Sequence, residues 1–216
     1  MKKILCYGDS NTYGYNPDFT DDRDMRFSKS VRWTGVLQKE LGDDYDVIEE
    51  GLGGRTTAWE DQTVSGRNGL KLLVPILQSH EPLDLVIIML GTNDAKEIYN
   101  ASVMEIGRGM EAIVKVCLSR YSYGTQAMCP KVLVVSPPLI GRNLNNSWLM
   151  GVFGEKAADK IKGLSAEYRV IAEKYGCDYF DAADIVTVSD TDSIHMDGDA
   201  HRILAHAIAE KVRDII

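Results

Sequence analysis

Two stretches, Leu85-Val86-Ile87-Ile88-Met89-Leu90 and Val132-Leu133-Val134-Val135, are apolar at every position. A strand with water on one face alternates apolar and polar residues, so an unbroken run of this kind needs cover on both faces. With residues 83–90 and 131–136 around these runs, residues 3–7, 46–50 and 178–180 complete a set of five candidate strands. Residues 33–41, 70–79, 103–119, 156–175 and 199–216 carry apolar side chains at helical spacing and fall between or after the strands. Such alternation implies parallel strands joined by right-handed crossovers, with helices on both faces. The expected fold is therefore α/β, a three-layer α/β/α sandwich on a five-stranded parallel sheet of flavodoxin-like order 2-1-3-4-5. At 216 residues, 44% hydrophobic and with no linker-like tract, one domain over residues 1–216 is expected.

Charge and cysteine usage narrow the function classes. A net charge of −8 and a pI near 5.0 leave no basic footprint for nucleic-acid phosphates or anionic lipid, so no nucleic-acid or membrane partner is expected. The basic start Met1-Lys2-Lys3 is followed by too short an apolar stretch for an export signal, and no apolar run approaches the length that spans a bilayer. Cys6, Cys117, Cys129 and Cys177 are scattered without a Cys-x-x-Cys pair. They read as reduced thiols of a cytoplasmic protein.

The connections at 12–30, 51–69, 91–102 and 137–154 are long, and loops of that length in a compact domain are usually functional. Each follows a strand end, so all should rim one crevice at the carboxyl edge of the sheet. Ser10, in Tyr7-Gly8-Asp9-Ser10-Asn11-Thr12-Tyr13-Gly14, stands just past the first strand and is the candidate nucleophile, although Gly-Asp-Ser alone is also an ordinary turn. The glycines of Gly51-Leu52-Gly53-Gly54 let a backbone N–H approach a ligand atom closely, or simply make a tight turn. In Gly91-Thr92-Asn93-Asp94 an asparagine amide can donate to a developing oxyanion, or cap the turn that follows. Near the C-terminus, Asp192 can reach His195 within one turn and fix its tautomer while the other ring nitrogen faces a serine. A rival reading gathers Asp190, Asp192, Asp197, Asp199, His195 and His201 around a divalent cation, as in a metal-dependent hydrolase. Asp197 or Asp199 is equally placed to cap the last helix, His201 and His206 read as ordinary residues of that helix, and His80 reads as a capping cation.

Taken together, Gly8-Asp9-Ser10-Asn11, the glycine block 51–54, Gly91-Thr92-Asn93-Asp94 and Asp192-x-x-His195 resemble, in order, the four blocks of the SGNH (GDSL) hydrolases. Arg32-Trp33-Thr34-Gly35, Arg55-Thr56-Thr57, the run 83–94 and the run 131–138 are similar to the bacterial arylesterase and acyltransferase branch. Asn11 departs from the leucine usual in Gly-Asp-Ser-Leu, and Gly54 stands where relatives vary among small residues. The resemblance implies a serine esterase acting on short-chain acyl esters without a cofactor or metal. In it Ser10, His195 and Asp192 form the catalytic triad, and Ser10, Gly54 and Asn93 form the oxyanion hole. Asp9, Thr92 and Asp94 support these, and acyl transfer to alcohols is a further possibility. A non-catalytic carbohydrate- or ester-binding module on the same fold is the alternative. The apolar residues Leu139, Ile140, Leu144, Trp148, Leu149, Met150, Val152 and Phe153 in the loop 137–154 need cover, and in related acyltransferases a loop here makes subunit contacts. A homo-oligomer is expected on that basis.

Overall fold

The computed structural model describes residues 1–216. Strands β1 (Lys2–Gly8), β2 (Tyr45–Gly51), β3 (Leu85–Met89), β4 (Lys131–Ser136) and β5 (Asp178–Asp181) form one parallel sheet in the order β2-β1-β3-β4-β5. Helices α1 (Ser10–Tyr13), α2 (Trp33–Leu41), α3 (Gly69–His80), α4 (Val103–Cys117), α5 (Met150–Phe153), α6 (Ala157–Tyr175) and α7 (Gly198–Ile215) complete the chain. The layers follow from the two-residue period of the strands. Leu5, Tyr7, Val86, Ile88, Val132 and Val134 point into one core with α3, α4 and α6, while Ile4, Cys6, Leu85, Ile87, Leu133 and Val135 meet α2 and α7 on the other face.

The long helices begin and end where local chemistry allows. Ser102 and Glu105 form a reciprocal capping box at the start of α4, and Asp197 accepts from the Ala200 N–H to cap α7. β3 starts later than the strand expected over 83–90, because the backbone N–H and C=O of Leu83 bond the Gln126 amide instead of a neighbouring strand. The short helices α1 and α5 carry no amphipathic signature that a sequence pattern could register. No helix is long and apolar enough to cross a membrane, and all four cysteines are free.

Candidate active site

β1 ends at Gly8, and the Asp9 side chain then accepts from the Asn11 N–H at 3.0 Å, capping α1 and making Ser10 its first residue. On the far side of the crevice, the turn before α7 holds Ser193 at φ +65°. Asp192 Oδ1 accepts from the N–H groups of Ile194 and His195, each at 2.9 Å, and Oδ2 lies 2.6 Å from His195 Nδ1. His195 Nε2 is 2.9 Å from Ser10 Oγ. Burial pushes the Asp192 carboxyl up, but the hydrogen bonds from His195 and the backbone outweigh it and hold the group below its ordinary value. An ionised Asp192 places the ring proton on Nδ1 and leaves Nε2 to accept from the serine hydroxyl. Ser10, His195 and Asp192 thus stand in series from the crevice inward.

Asn11 was visible in the sequence only as a departure from the usual leucine, with no role attached. Its Nδ2 donates to the Ile194 carbonyl at 3.2 Å and its Oδ1 accepts from the Met196 N–H at 3.0 Å. The residue after the serine therefore grips the backbone on both sides of the histidine. Tyr15 adds a ring whose centroid lies 4.2 Å from that of His195.

The opposite wall holds the donors. Gly54 has φ +78°, in the left-handed region that favours glycine, and its N–H has no partner within the chain. Ser10 is the first helical residue, so its N–H also lacks an intrahelical acceptor. Asn93 Nδ2 donates to the Arg55 carbonyl at 3.1 Å and lies 3.5 Å from Asp9 Oδ2. The Arg55 guanidinium donates to the carbonyls of Gly8 and Glu50 and lies over the Tyr7 ring, tying the ends of β1 and β2 together beneath the site. Asp94 accepts from the Thr57 N–H at 3.0 and 3.1 Å and from the Thr57 hydroxyl, so it anchors the Asn93 loop to the loop after β2. Thr92 serves through its carbonyl, which accepts from Ala95 N–H, while its hydroxyl is buried without a partner. Burial raises the Asp9 carboxyl to about 6 and the Asp94 carboxyl to about 7, against the hydrogen bonds that favour their ions.

The acidic and histidine residues near the C-terminus divide among separate tasks instead of converging. Asp192 serves His195, Asp197 caps α7, and Asp199 pairs with Arg202. His201 is wholly buried and accepts from the Trp33 N–H at 3.2 Å. Nowhere do three or more His, Cys, Asp or Glu side chains gather as a metal would require. His80 does not act as a simple helix-end cation: its Nε2 meets Glu50 Oε1 at 2.9 Å and joins α3 to the end of β2.

Residues of all four long loops, with the turn at His195, line an open cavity of about 320 Å³. Ser10, Gly54, Asn93 and His195 form its floor, and Trp148, Leu149, Val152, Phe153 and Ile194 form an apolar wall. A serine hydroxyl, an imidazole and a carboxylate in series at the carboxyl edge of a doubly wound sheet define the serine-hydrolase class of site. The chain matches the GDSL-like Lipase/Acylhydrolase family over residues 6–203; it belongs to that family and is a carboxylic ester hydrolase.

The chain is similar along its whole length to a carbohydrate acetylesterase from Sinorhizobium meliloti, at 39% identity and a TM-score of 0.94, with 100% of each chain covered. It is similar to the same extent to the aryl esterase of M. smegmatis, at 40% identity, a TM-score of 0.93 and 100% coverage of both chains. A stretch of 92 residues, 43% of this chain, is 32% identical to an uncharacterized lipoprotein of Bacillus subtilis (strain 168) and spans 32% of that protein's length.

Proposed function

We propose that the protein is a serine esterase that cleaves short-chain acyl esters of aryl, alkyl or acetylated-sugar type through an acyl-enzyme on Ser10, and that it passes acyl groups to alcohols as well as to water. The observation that carries this reading is the series Ser10 Oγ, His195 Nε2 at 2.9 Å, and Asp192 Oδ2 at 2.6 Å from His195 Nδ1. Ser10 Oγ attacks the ester carbonyl carbon as its proton moves to His195 Nε2, and Asp192 stabilises the imidazolium so formed. The N–H groups of Ser10 and Gly54 and the Asn93 amide receive the negative oxygen. The imidazolium then gives its proton to the departing alkoxide, the C–O bond breaks, and an alcohol leaves. Water, or a second alcohol, repeats the sequence on the acyl-enzyme and frees Ser10. The small cavity supports short acyl groups, and its apolar wall offers an organic alcohol a better-matched surface than it offers water.

The similar chains, a carbohydrate acetylesterase and an aryl esterase, fall within this substrate class. A homo-oligomer in a reducing, cytoplasmic setting belongs to the same reading, supported by the exposed Trp148 on the cavity wall, by the exposed Leu139 of the same loop and by the four free thiols. The test is Ser10→Ala together with organophosphate labelling. The parent gains the mass of one dialkylphosphoryl group on Ser10, with the reagent's leaving group expelled, and loses activity, whereas Ser10→Ala is inactive, unlabelled and folded by circular dichroism. Near-parental turnover by a folded Ser10→Ala protein would overturn the mechanism.

A further inference from the structure

Lys96 lies on the wall of the same cavity, half-buried, three residues beyond Asn93. A lysine in open water needs no counter-ion, but one partly withdrawn from solvent is costly unless an anion or acceptor compensates. Lys96 has neither within the chain; its ammonium sits 5.8 Å from the centroid of the Phe153 ring. Burial draws it below the ordinary lysine range, and the more distant Asp61, Asp9 and Asp94 oppose this. Those carboxylates are engaged elsewhere. Asp61 accepts from the Thr63 N–H at 2.8 Å, the Thr63 hydroxyl at 2.7 Å, the Val64 N–H at 3.0 Å and the Tyr99 hydroxyl at 3.3 Å. Asp9 and Asp94 are bound within the site as described above.

A second cation makes the imbalance larger. Arg67 is fixed by its carbonyl, which accepts from the Thr56 N–H at 2.9 Å, and its side chain lies against Gly54. A Cβ built on Gly54 would come within 3.2 Å of Arg67 Nε. The Arg67 guanidinium has no acceptor in the chain, and its charge is among the causes that lower Lys96. Lys96 on the cavity wall, and Arg67, which stands against the lining residue Gly54 without itself lining the cavity, are therefore two unpaired cations beside the Gly54 and Asn93 side, in a protein whose net charge is −8. Like charges near each other in a partly dry site are mutually unfavourable, and an anion between them relieves both.

We propose that Lys96 and Arg67 form a subsite for a negatively charged substituent of the ester, a carboxylate or a group of like charge, so that the preferred substrates are anionic esters. This deepens the esterase reading above and rests on it. The two residues act on specificity, because the charge they hold lies on the substrate a few bonds from the carbonyl that Ser10 attacks.

Matched ester pairs test it, followed by pH-stat. Phenyl acetate against 4-acetoxybenzoate puts the charge on the alcohol side, and ethyl 4-methylpentanoate against monoethyl succinate puts it on the acyl side. In the parent, at least one charged member exceeds its neutral match in kcat/KM. Lys96→Met and Arg67→Met each lower that charged-to-neutral ratio by about tenfold, the scale of a lost charge-assisted hydrogen bond, and do so through KM. Lys96→Arg recovers most of the loss. Charged members that are poorer substrates than their matches in both pairs, or a ratio unmoved in both methionine variants, would overturn the subsite and leave the esterase reading standing. Failure of all four esters would overturn the short-chain substrate class proposed above, and the subsite with it.

Discussion

Asn11 joins two parts of the site that lie far apart in sequence, since its side chain holds the backbone of Ile194 and Met196 while its own position follows Ser10. Leucine at this position would bury the Met196 N–H and the Ile194 carbonyl without partners. Asn11→Leu is expected to cost about 1–3 kcal/mol for each orphaned group and to lower kcat by letting His195 drift from Ser10. Asn11→Asp, which keeps the acceptor for Met196 N–H and loses the donor to Ile194, should fall between. Urea denaturation beside steady-state kinetics checks both, and a leucine variant with parental kcat would remove Asn11 from the positioning of the base. Asn93 poses a different question, because its amide is held toward the site by the Arg55 carbonyl before any substrate arrives. If its other N–H serves the oxyanion, Asn93→Ala lowers kcat by about 10²–10³ with little change in KM. A rise in KM at constant kcat would instead make Asn93 a residue that binds ester and transition state alike.

The loop 137–154 separates into two kinds of surface at the level of elements. Leu144, Leu149 and Phe153 are buried in the core shared with α4 and α6, so most of its apolar content is satisfied within the chain. Trp148 is 74% exposed and Leu139 44% exposed, and these are the side chains still in need of cover. Trp148 also lines the cavity that holds Ser10 and His195. Trp148→Ser is expected to leave the fold intact, weaken a homo-oligomer and relax the preference for acetate over octanoate esters. Light scattering and rates on the two esters check this; an assembly and a preference that both survive the change would remove Trp148 from each role. Phe153 is unsuited to the same experiment, since truncating a buried aromatic side chain costs about 3–5 kcal/mol and would report on folding.

Across the whole molecule, buried ionisable groups give stability a distinctive pH dependence. The folded state holds the proton on Asp94 up to about 7 and on Asp9 up to about 6, while an unfolded carboxyl releases it near 3.8. Between those values the folded state binds more protons, so these two groups make stability fall as pH rises. His201, lowered from 6.5 to about 3 by burial, acts in the opposite sense and costs stability as pH falls below 6.5. Comparison with a variant isolates one contribution. Asp94→Asn keeps an acceptor for the Thr57 N–H and removes the titration. Relative to the parent it should gain stability as pH rises from about 4 to about 7, with a difference in slope of up to about 1.4 kcal/mol per pH unit in that window and none above it. Urea midpoints from pH 4 to 7 measure it, and curves parallel throughout that window would show that burial does not raise Asp94.

The sequence by itself determined the layers, the strand order and the class of site. Continuous apolar runs in β3 and β4 demand cover on both faces, and the Gly-Asp-Ser, glycine, Asn-Asp and Asp-x-x-His blocks appear in order at strand ends and before the last helix. Asp192 and His195 were legible as partners because three residues in a turn bring their side chains together. Tertiary structure decided whatever depends on approach between distant segments. It set the grip of Asn11 on the histidine loop, the Asp94–Thr57 anchor, and the Arg55 tie beneath β1 and β2. It also divided the loop 137–154 into buried and exposed side chains and dispersed the acidic cluster that a metal reading would gather. Periodicity records which face of an element is apolar, and therefore the layer it joins. It holds no record of which polar side chain meets which backbone group after the chain has crossed the sheet, because those meetings are fixed by packing of the whole and not by spacing along it.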